Sequence, residues 1–487
     1  MLFSTTAFLL FFVLVYLVYW SVGGRGKLYV IVLSSIFFYG FWSPAFAVHF
    51  LAIALLNFGF ARLVRRAHRS MGRVWLALLL TINLGNLFFF KYFYFFLEVM
   101  RDVTGSAIFQ ETAFNGYLEA SMGIRGIVLP LAISFYTFQL TAYVVDTYRG
   151  EIEKEHSLLE FLAFILFFPQ LVAGPIVRHQ EFFFQIQDPN RIKPEESQFI
   201  SGIYLLLQGI VKKVLIADNL APHTTLIFNQ PERFDWLTLV AGCFAFGAQL
   251  YCDFSGYTDL ARGQGRLLGI ELPENFFAPY FSRSVRALWN NWHRTLTSWV
   301  RDYVYIPLGG QTVSFARTQF NIILSWALVG LWHGASYNYL LLGTYHGFLI
   351  AAEIQLRRWQ KAGILPILSE RWPRLGQIQR ITGPIYVLLM LGAGFVLFIT
   401  PDLETARTMY TRMFSGAGGT RSVYNDFFFL CFGAALLFNY FQSRSFQPIP
   451  SNRRWRYYGG LIAGGFLLLI LLGRFAPGSE DFFYFQF

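Results

Sequence analysis

The sequence predicts an all-α, polytopic membrane protein. Three observations carry that prediction: composition, the recurrence of apolar runs, and the placement of basic residues. Of the 487 residues, 55% are hydrophobic, 19% aromatic and only 14% charged, whereas a soluble domain carries about 25% charged residues. Apolar runs of membrane-spanning length recur along the whole chain, enough for about 11–12 transmembrane helices. The formal net charge is +11, and the Lys and Arg residues gather in the connections, the positive-inside pattern of cytoplasmic loops. That placement accounts for the charge without any nucleic-acid partner. Basic loops at a membrane surface also attract anionic lipid or an anionic donor such as a coenzyme.

The first span is expected at 5–22, with Arg25 and Lys27 after it. It lacks a basic leader and a small-residue cleavage site, so it reads as a membrane helix rather than a cleaved signal. Ser43-Pro44 breaks the apolar stretch 28–60 into two short spans. The loop with Arg62, Arg65, Arg66, His68, Arg69 and Arg73 is the densest early basic cluster and is placed in the cytoplasm, which puts the N-terminus outside. A span at 74–97 leads out to a mixed-charge loop at 98–124. Residues 126–146 return, interrupted by Pro130 and Ser134. The segment 158–177 holds Phe168-Pro-Gln-Leu-Val-Ala-Gly-Pro-Ile, which cannot form a straight helix. At membrane depth such backbone is tolerated where it is buried or lines a cavity, so a re-entrant segment is expected. A basic loop with Arg178, Arg191 and Lys193 follows, then spans at 199–216 and 236–252. Residues 253–318, rich in arginine, are expected as short cytoplasmic helices. Spans at 319–332 and 337–353 flank His333. After the basic linker 354–380 come spans at 381–399, 426–441 and 459–473, with a basic loop at 442–456 and the C-terminus outside. The chain reads as one domain, 1–487: N-terminal spans 1–124, a core at about 125–353, and C-terminal spans 381–487. Cys243, Cys252 and Cys431 are scattered in apolar segments and suggest neither a disulfide framework nor a metal site.

Two histidines stand out. His293 lies in Trp289-Asn-Asn-Trp-His-Arg-Thr-Leu, and His333 in Gly330-Leu-Trp-His-Gly-Ala. Taken as one helix over 286–303, the first motif puts Trp289, Trp292, His293, Leu296 and Trp299 on one face and the polar residues opposite. A structural, hydrogen-bonded histidine is the simpler reading of either one alone. Two in similar Trp-rich settings favour a site, because imidazole moves protons near neutral pH and ionisable groups at membrane depth are commonly functional. His346 is a lesser candidate. His49, His68, His156, His179 and His223 are read as bystanders. Asp253 and Asp259 follow an apolar span, and Arg262 and Arg266 share a helix face. These groups either pair with one another at the membrane surface or orient a partner and meet phosphate. No Gly-x-Ser-x-Gly, P-loop, His-Glu-x-x-His or His-x4-Asp motif is present, which disfavours the enzyme classes they mark. No metal-ligating set is read.

At these residues the sequence resembles the membrane-bound O-acyltransferase family. The resemblance rests on Trp-x-x-Trp-His-x-Thr-Leu at 289–296, Arg301-Asp-Tyr-x-Tyr-Ile-Pro-Leu-Gly-Gly to 310, Gly-Leu-Trp-His-Gly-Ala at 330–335, Ile133-Ser-Phe-Tyr-Thr-Phe-Gln, Phe168-Pro-Gln-Leu-Val-Ala-Gly-Pro-Ile, Asp253-Phe-Ser-Gly-Tyr-Thr-Asp-x-Ala, and the C-terminal Phe-Tyr-Phe-Gln-Phe. Within the family it is most similar to the bacterial alginate O-acetylation branch, and it shares much of its core with the D-alanyl-transfer relatives of teichoic-acid synthesis. The resemblance implies a ring of membrane helices around a thinner centre in a bacterial inner membrane. It implies catalysis by His333, with His293 at the second active-site position. The donor would be acetyl-CoA or another acyl thioester from the cytoplasm, with no tightly bound cofactor. An acceptor hydroxyl would arrive from the other face, on a polysaccharide or on a periplasmic or membrane-anchored acetyltransferase partner. Asp253, Arg262, Arg266, Asn290, Arg294, Arg301, Tyr305 and Trp332 are the candidates for holding donor or substrate. A proton-coupled carrier is the rival class. The absence of an internal repeat and the arginine-rich stretch 253–318 count against it.

Overall fold

The computed structural model describes residues 3, 5–122, 125–172, 174–186, 195–364, 373–421, 424 and 426–443. Among these, the regular secondary structure is helical, with an isolated bridge between Phe234 and Thr420. The helices are α1 Thr6–Ser21, α2 Arg25–Gly40, α3 Pro44–Arg66, α4 Arg69–Leu87, α5 Phe93–Thr104, α6 Glu111–Met122, α7 Ile133–Arg149, α8 Leu158–Leu166, α9 Phe168–Leu171, α10 His179–Ile186, α11 Glu196–Ile210, α12 Asp218–Asn229, α13 Trp236–Leu267, α14 Val285–Asn291, α15 Arg294–Val300, α16 Phe315–His333, α17 Tyr337–Lys361, α18 Pro373–Ile399, α19 Leu403–Ser415 and α20 Asp426–Ser443. The expected span at 459–473, the C-terminal motif, Arg191, Lys193 and most of the basic loop 442–456 lie outside the described residues.

Local sequence sets many of the ends. Ser43 caps α3, accepting from the Phe46 N–H at 3.4 Å, with Pro44 in the first turn; this is the expected break. Ser157 and Glu160 form a reciprocal capping box on α8. Asp235 accepts from the Thr238 N–H at 2.8 Å to start α13. Five helical runs among the described residues are long and apolar enough to cross a membrane: Pro44–Arg66, Arg69–Thr104, Glu196–Asn229, Trp236–Leu267 and Thr382–Ile399. Leu9, Leu10, Leu14 and Leu17 leave one side of α1 exposed and apolar, as a lipid-facing surface requires.

Several boundaries differ from the expectation. The span at 74–97 is part of one run, Arg69–Thr104, containing a π-helical turn at Phe88–Tyr92. The span at 199–216 likewise continues through a π-helical turn, Val211–Ala217, into α12. The residues from 253 onward do not break into short helices at once. Helix α13 runs on to Leu267, because its aspartates are answered inside the protein: Asp253 by Lys213 at 2.9 Å and Asp259 by Lys212 at 2.7 Å. Helix α7 begins only at Ile133, after a non-helical entry holding Pro130. The segment 158–177 is kinked as expected, and its residues from Phe161 to Val172 are almost all buried.

Candidate functional site

The proposed helix 286–303 is two helices with a corner at the histidine. Helix α14 ends at Asn291, α15 starts at Arg294, and His293 between them has φ 43°. A left-handed backbone at a residue with a Cβ is costly and persists only where the surroundings hold it. Asn275 holds it here. Its backbone oxygen accepts from the Arg294 N–H at 3.0 Å. Its Oδ1 accepts from the Thr295 N–H at 3.2 Å and the Thr295 hydroxyl at 2.7 Å. Because a backbone N–H only donates, the facing atom is Oδ1. His293 Nδ1, 3.3 Å from the same oxygen, therefore carries its proton, leaving Nε2 as the acceptor. That Nε2 is buried and has no hydrogen-bond partner among the described residues.

His333 closes α16, and Gly334 leaves the helix in extended backbone. The helix is set against α17 by a close backbone crossing. A Cβ at Gly330 would lie 2.8 Å from Gly343 Cα and collide with the Tyr339 carbonyl. The last turn of α16 is held from the other side by the π-helical turn Phe88–Tyr92. Lys91 Nζ donates to the Trp332 carbonyl at 2.5 Å, and the Tyr92 hydroxyl to the Leu331 carbonyl at 3.1 Å. These are carbonyls that a helix C-terminus leaves without an internal partner.

His333 borders two cavities. The first is walled by Trp289, Trp292, Trp326, His346, Phe395 and Phe398. The second is lined by Trp42, Lys91, Pro130, Ala132, Ser134 and Trp332. Ala132, at φ 58°, is a second residue with a Cβ held in left-handed backbone at this site. Trp332 separates the two histidines, its ring centroid 4.9 Å from His333 and 5.6 Å from His293. His293 itself lines neither cavity. It sits one aromatic layer back, edge-on to Phe254 at 4.8 Å.

The arginine candidates gather at the periphery. Arg262 and Arg294 share Glu274, at 3.5 and 3.8 Å, and Arg266 lies 3.7 Å from Glu271. Arg301 is apart, paired with Asp302 at 2.7 Å, and Arg178 reaches the same carboxylate at 3.2 Å. Asn290 is exposed, and Tyr305 packs partly buried against Val285, Ile322 and Ile350. Asp253 is buried in an ion pair away from these arginines. Asp146, Glu151 and His179 bring ligand-type atoms within 4.8 Å of one another. Arg149 lies 3.9 Å from both carboxylates, so a cation is already supplied there.

Sequence reasoning missed Lys91, which was counted within an apolar span, and the ion-paired Lys212 and Lys213. His346, the lesser candidate, lines the first cavity. A lysine in the middle of an uncharged aromatic run, Phe88-Phe-Phe-Lys-Tyr, is the signal that pointed to Lys91.

The geometry is that of a multi-pass helical membrane protein with a buried histidine between two cavities. A family model for membrane-bound O-acyltransferases matches residues 149–369. The chain is 34% identical over 421 residues to the probable alginate O-acetylase AlgI of Pseudomonas aeruginosa, covering 85% of this chain and 75% of that protein. It is 33% identical over 346 residues to the peptidoglycan O-acetyltransferase of Helicobacter pylori, covering 66% and 63%. It is 31% identical over 255 residues to the teichoic acid D-alanyltransferase of Bacillus subtilis, covering 50% and 63%. The chain belongs to the membrane-bound O-acyltransferase family and acts as an O-acyltransferase.

Proposed function

We propose that this protein transfers acetyl from a cytoplasmic thioester, acetyl-CoA, to a hydroxyl reached from the opposite face of a bacterial inner membrane. The observation that carries the reading is that His333 borders both cavities, so one imidazole can meet a donor from one side and an acceptor from the other. Basic residues suggest the orientation: the α3–α4 corner with Arg62, Arg65, Arg66 and Arg69, and the α17 end with Arg357, Arg358 and Lys361, would face the cytoplasm, leaving both termini outside. The tryptophan-walled cavity then faces the donor, and the cavity lined by Trp42 and Lys91 faces the acceptor.

His333 takes the proton of the acceptor hydroxyl as its oxygen attacks the thioester carbonyl carbon, a role worth about 10²–10⁴-fold. The tetrahedral intermediate collapses, the C–S bond breaks, and the coenzyme thiolate recovers the proton from the imidazolium. Trp289, Trp292 and Trp326 keep water from the thioester. His293, a layer behind Trp332, acts as a positioning residue for this wall. Arg262, Arg266, Arg294 and Arg301 are the residues we assign to the coenzyme phosphates. The acceptor is a cell-surface polysaccharide, by analogy with the alginate and peptidoglycan acetylating relatives, and acetyl would reach it through an exported acetyltransferase partner. Similarity to a teichoic acid D-alanyltransferase supports a second reading, in which the acyl group is D-alanyl.

Labelled acetyl-CoA presented on one side of proteoliposomes, with candidate acceptors trapped on the other, tests the reading. Acetyl ester on the trapped acceptor or partner is the expected product. Turnover of a D-alanyl thioester with none of acetyl-CoA would replace acetyl by D-alanyl, and passage of solute without thioester loss would make the protein a carrier.

A further inference from the structure

Buried rings that brace the scaffold find hydrogen-bond partners. The Trp20 and Trp299 indoles each donate to a carbonyl at 3.0 Å. His156 meets the Tyr143 hydroxyl at 3.1 Å, and His293 meets Asn275 at 3.3 Å. Two rings of the tryptophan-walled cavity differ. Trp289 Nε1 and His346 Nδ1 are buried without a hydrogen-bond partner, and His346 Nε2 has none among the described residues. Unanswered buried polar groups are uncommon and costly. Here two of them, from α14 and α17, converge on the cavity that His333 borders, their ring centroids 4.9 Å apart and inclined at 80°. Glycines on either side of His346 lock α17 against α16. A Cβ at Gly343 would lie 2.8 Å from Gly330 Cα, and one at Gly347 would lie 2.9 Å from Ile323 Cα. On α18, a Cβ at Gly394 would stand 3.0 Å from His346 Nε2, so glycine there leaves room at that nitrogen. With neither nitrogen committed, a neutral imidazole can carry its one N–H on the side that faces a ligand.

We propose that Trp289 and His346 are further catalytic residues of the acyl transfer, two N–H donors to the thioester carbonyl oxygen. The proposal rests on the functional reading, in which this cavity holds the donor. As the acceptor oxygen bonds to the carbonyl carbon, the π pair of the C=O bond moves onto the carbonyl oxygen, where negative charge develops. The Trp289 and His346 N–H groups hydrogen-bond to that oxygen and give up no proton. When the intermediate collapses, the pair returns to the carbon–oxygen bond and the C–S bond breaks. The proton path through His333 is unchanged. Donors fixed in an apolar wall stabilise such charge better than water does, because they need no reorganisation as it develops. These contacts are to the acyl group alone, so they are the same whether the acceptor hydroxyl belongs to a partner protein or to a sugar.

The test uses the full-length protein in proteoliposomes and two readouts. The first is steady-state loss of acetyl-CoA with the acceptor or partner present. The second is the infrared carbonyl stretch of a bound ketone analogue of acetyl-CoA, isotope-labelled at the carbonyl. A methylene replaces the thioester sulfur in this analogue, so it has no leaving group and stays intact. His346→Leu should lower kcat by about 10²–10³-fold with the KM for acetyl-CoA nearly unchanged. Trp289→Phe, which keeps a ring and removes the N–H, should lower kcat in the same way, and it carries the test where His346→Leu does not fold. His346→Gln retains an N–H donor and should recover part of the loss. The bound ketone should stretch at lower frequency in native protein than in His346→Leu or Trp289→Phe, because hydrogen bonds weaken its C=O bond. Native turnover with the same stretch in native protein and both variants would overturn the proposal. So would variants that match native kcat, or that raise KM alone. A shifted stretch that both variants lose, in a protein without acetyl-CoA turnover, would instead defeat the functional reading while leaving the carbonyl donors in place.

Discussion

Lys91 on one side and Lys212 and Lys213 on the other are presented in the same way and answered differently. All three stand on π-helical turns inside long apolar runs. In the α11–α13 region the two lysines meet Asp218, Asp253 and Asp259 at 2.6–2.9 Å, and Gln208 adds a donor to Asp259 at 2.9 Å. At the His333 end of α16, Lys91 meets two neutral oxygens and the Tyr92 and Trp332 rings at 6.0 Å, with no carboxylate of the described residues within 4.0 Å. A closed ion-pair set fixes the packing of two helices and leaves nothing for a ligand. Lys91 instead holds the turn that ends at His333, on the wall of a cavity. The difference separates scaffold from site within the same protein.

Breaking the closed set should have the largest effect on stability. Lys213→Met leaves Asp253 and Asp218 buried without their cation and should cost about 3–5 kcal/mol, read as a large fall in the thermal midpoint of the detergent-solubilised protein. A stability loss no greater than that of Lys91→Met would erase the distinction between the two regions. Gly330→Ala comes next. The added methyl must push α16 from α17, at about 1–3 kcal/mol for overpacking, and it displaces His333, so thioester turnover should fall even where folded protein is recovered. Lys91→Met should cost less stability, about 0.5–2 kcal/mol by analogy with the loss of a helix cap, since Tyr92 still holds the Leu331 carbonyl. Its main effect should be a fall in thioester turnover, because the turn that ends at His333 loses one of its two donors.

Acid sharpens the comparison from a third place. His156, stacked on Phe183 at 3.5 Å, and His179, beside Asp146, lie outside the spans, and burial pushes each down to about 4. The folded state thus keeps them neutral while the unfolded chain takes up protons below its ordinary value of about 6.5. The stability they contribute is full above that value and is lost as pH falls toward 4. The thermal midpoint should drop between pH 7 and 5, and His179→Gln should remove part of that slope. The smallest effect belongs to the exposed pairs. Arg294→Ala should change stability by no more than about 1 kcal/mol, while raising the KM for acetyl-CoA if Arg294 meets its phosphates.

Much of this was legible in the sequence. The helical membrane class, the Ser43-Pro44 break and the kinked segment around Pro169 follow from hydropathy and capping chemistry, and the cost of burying an ionisable group singles out His333, which lines both cavities. What was not legible depends on partners distant in the chain. The corner at His293 looks helical by periodicity, and it is broken by Asn275, eighteen residues earlier. By sequence the span of α13 stops at 252, before its first aspartate, because the lysines that neutralise Asp253 and Asp259 come from a π-helical turn no periodicity reveals. His346 ranks as a lesser candidate by sequence, and the close Gly330–Gly343 crossing packs α17 against α16 so that His346 lines the cavity it shares with His333.

The central claim is that His333 is the proton-moving centre where two cavities meet. It is tested most directly by loss of labelled acetyl-CoA in proteoliposomes holding native protein or His333→Ala, matched for thermal midpoint and reconstituted amount, with the acceptor or partner present. The account predicts that turnover falls by about 10²–10⁴-fold in the variant. Equal turnover in both would contradict it and move the chemistry away from His333.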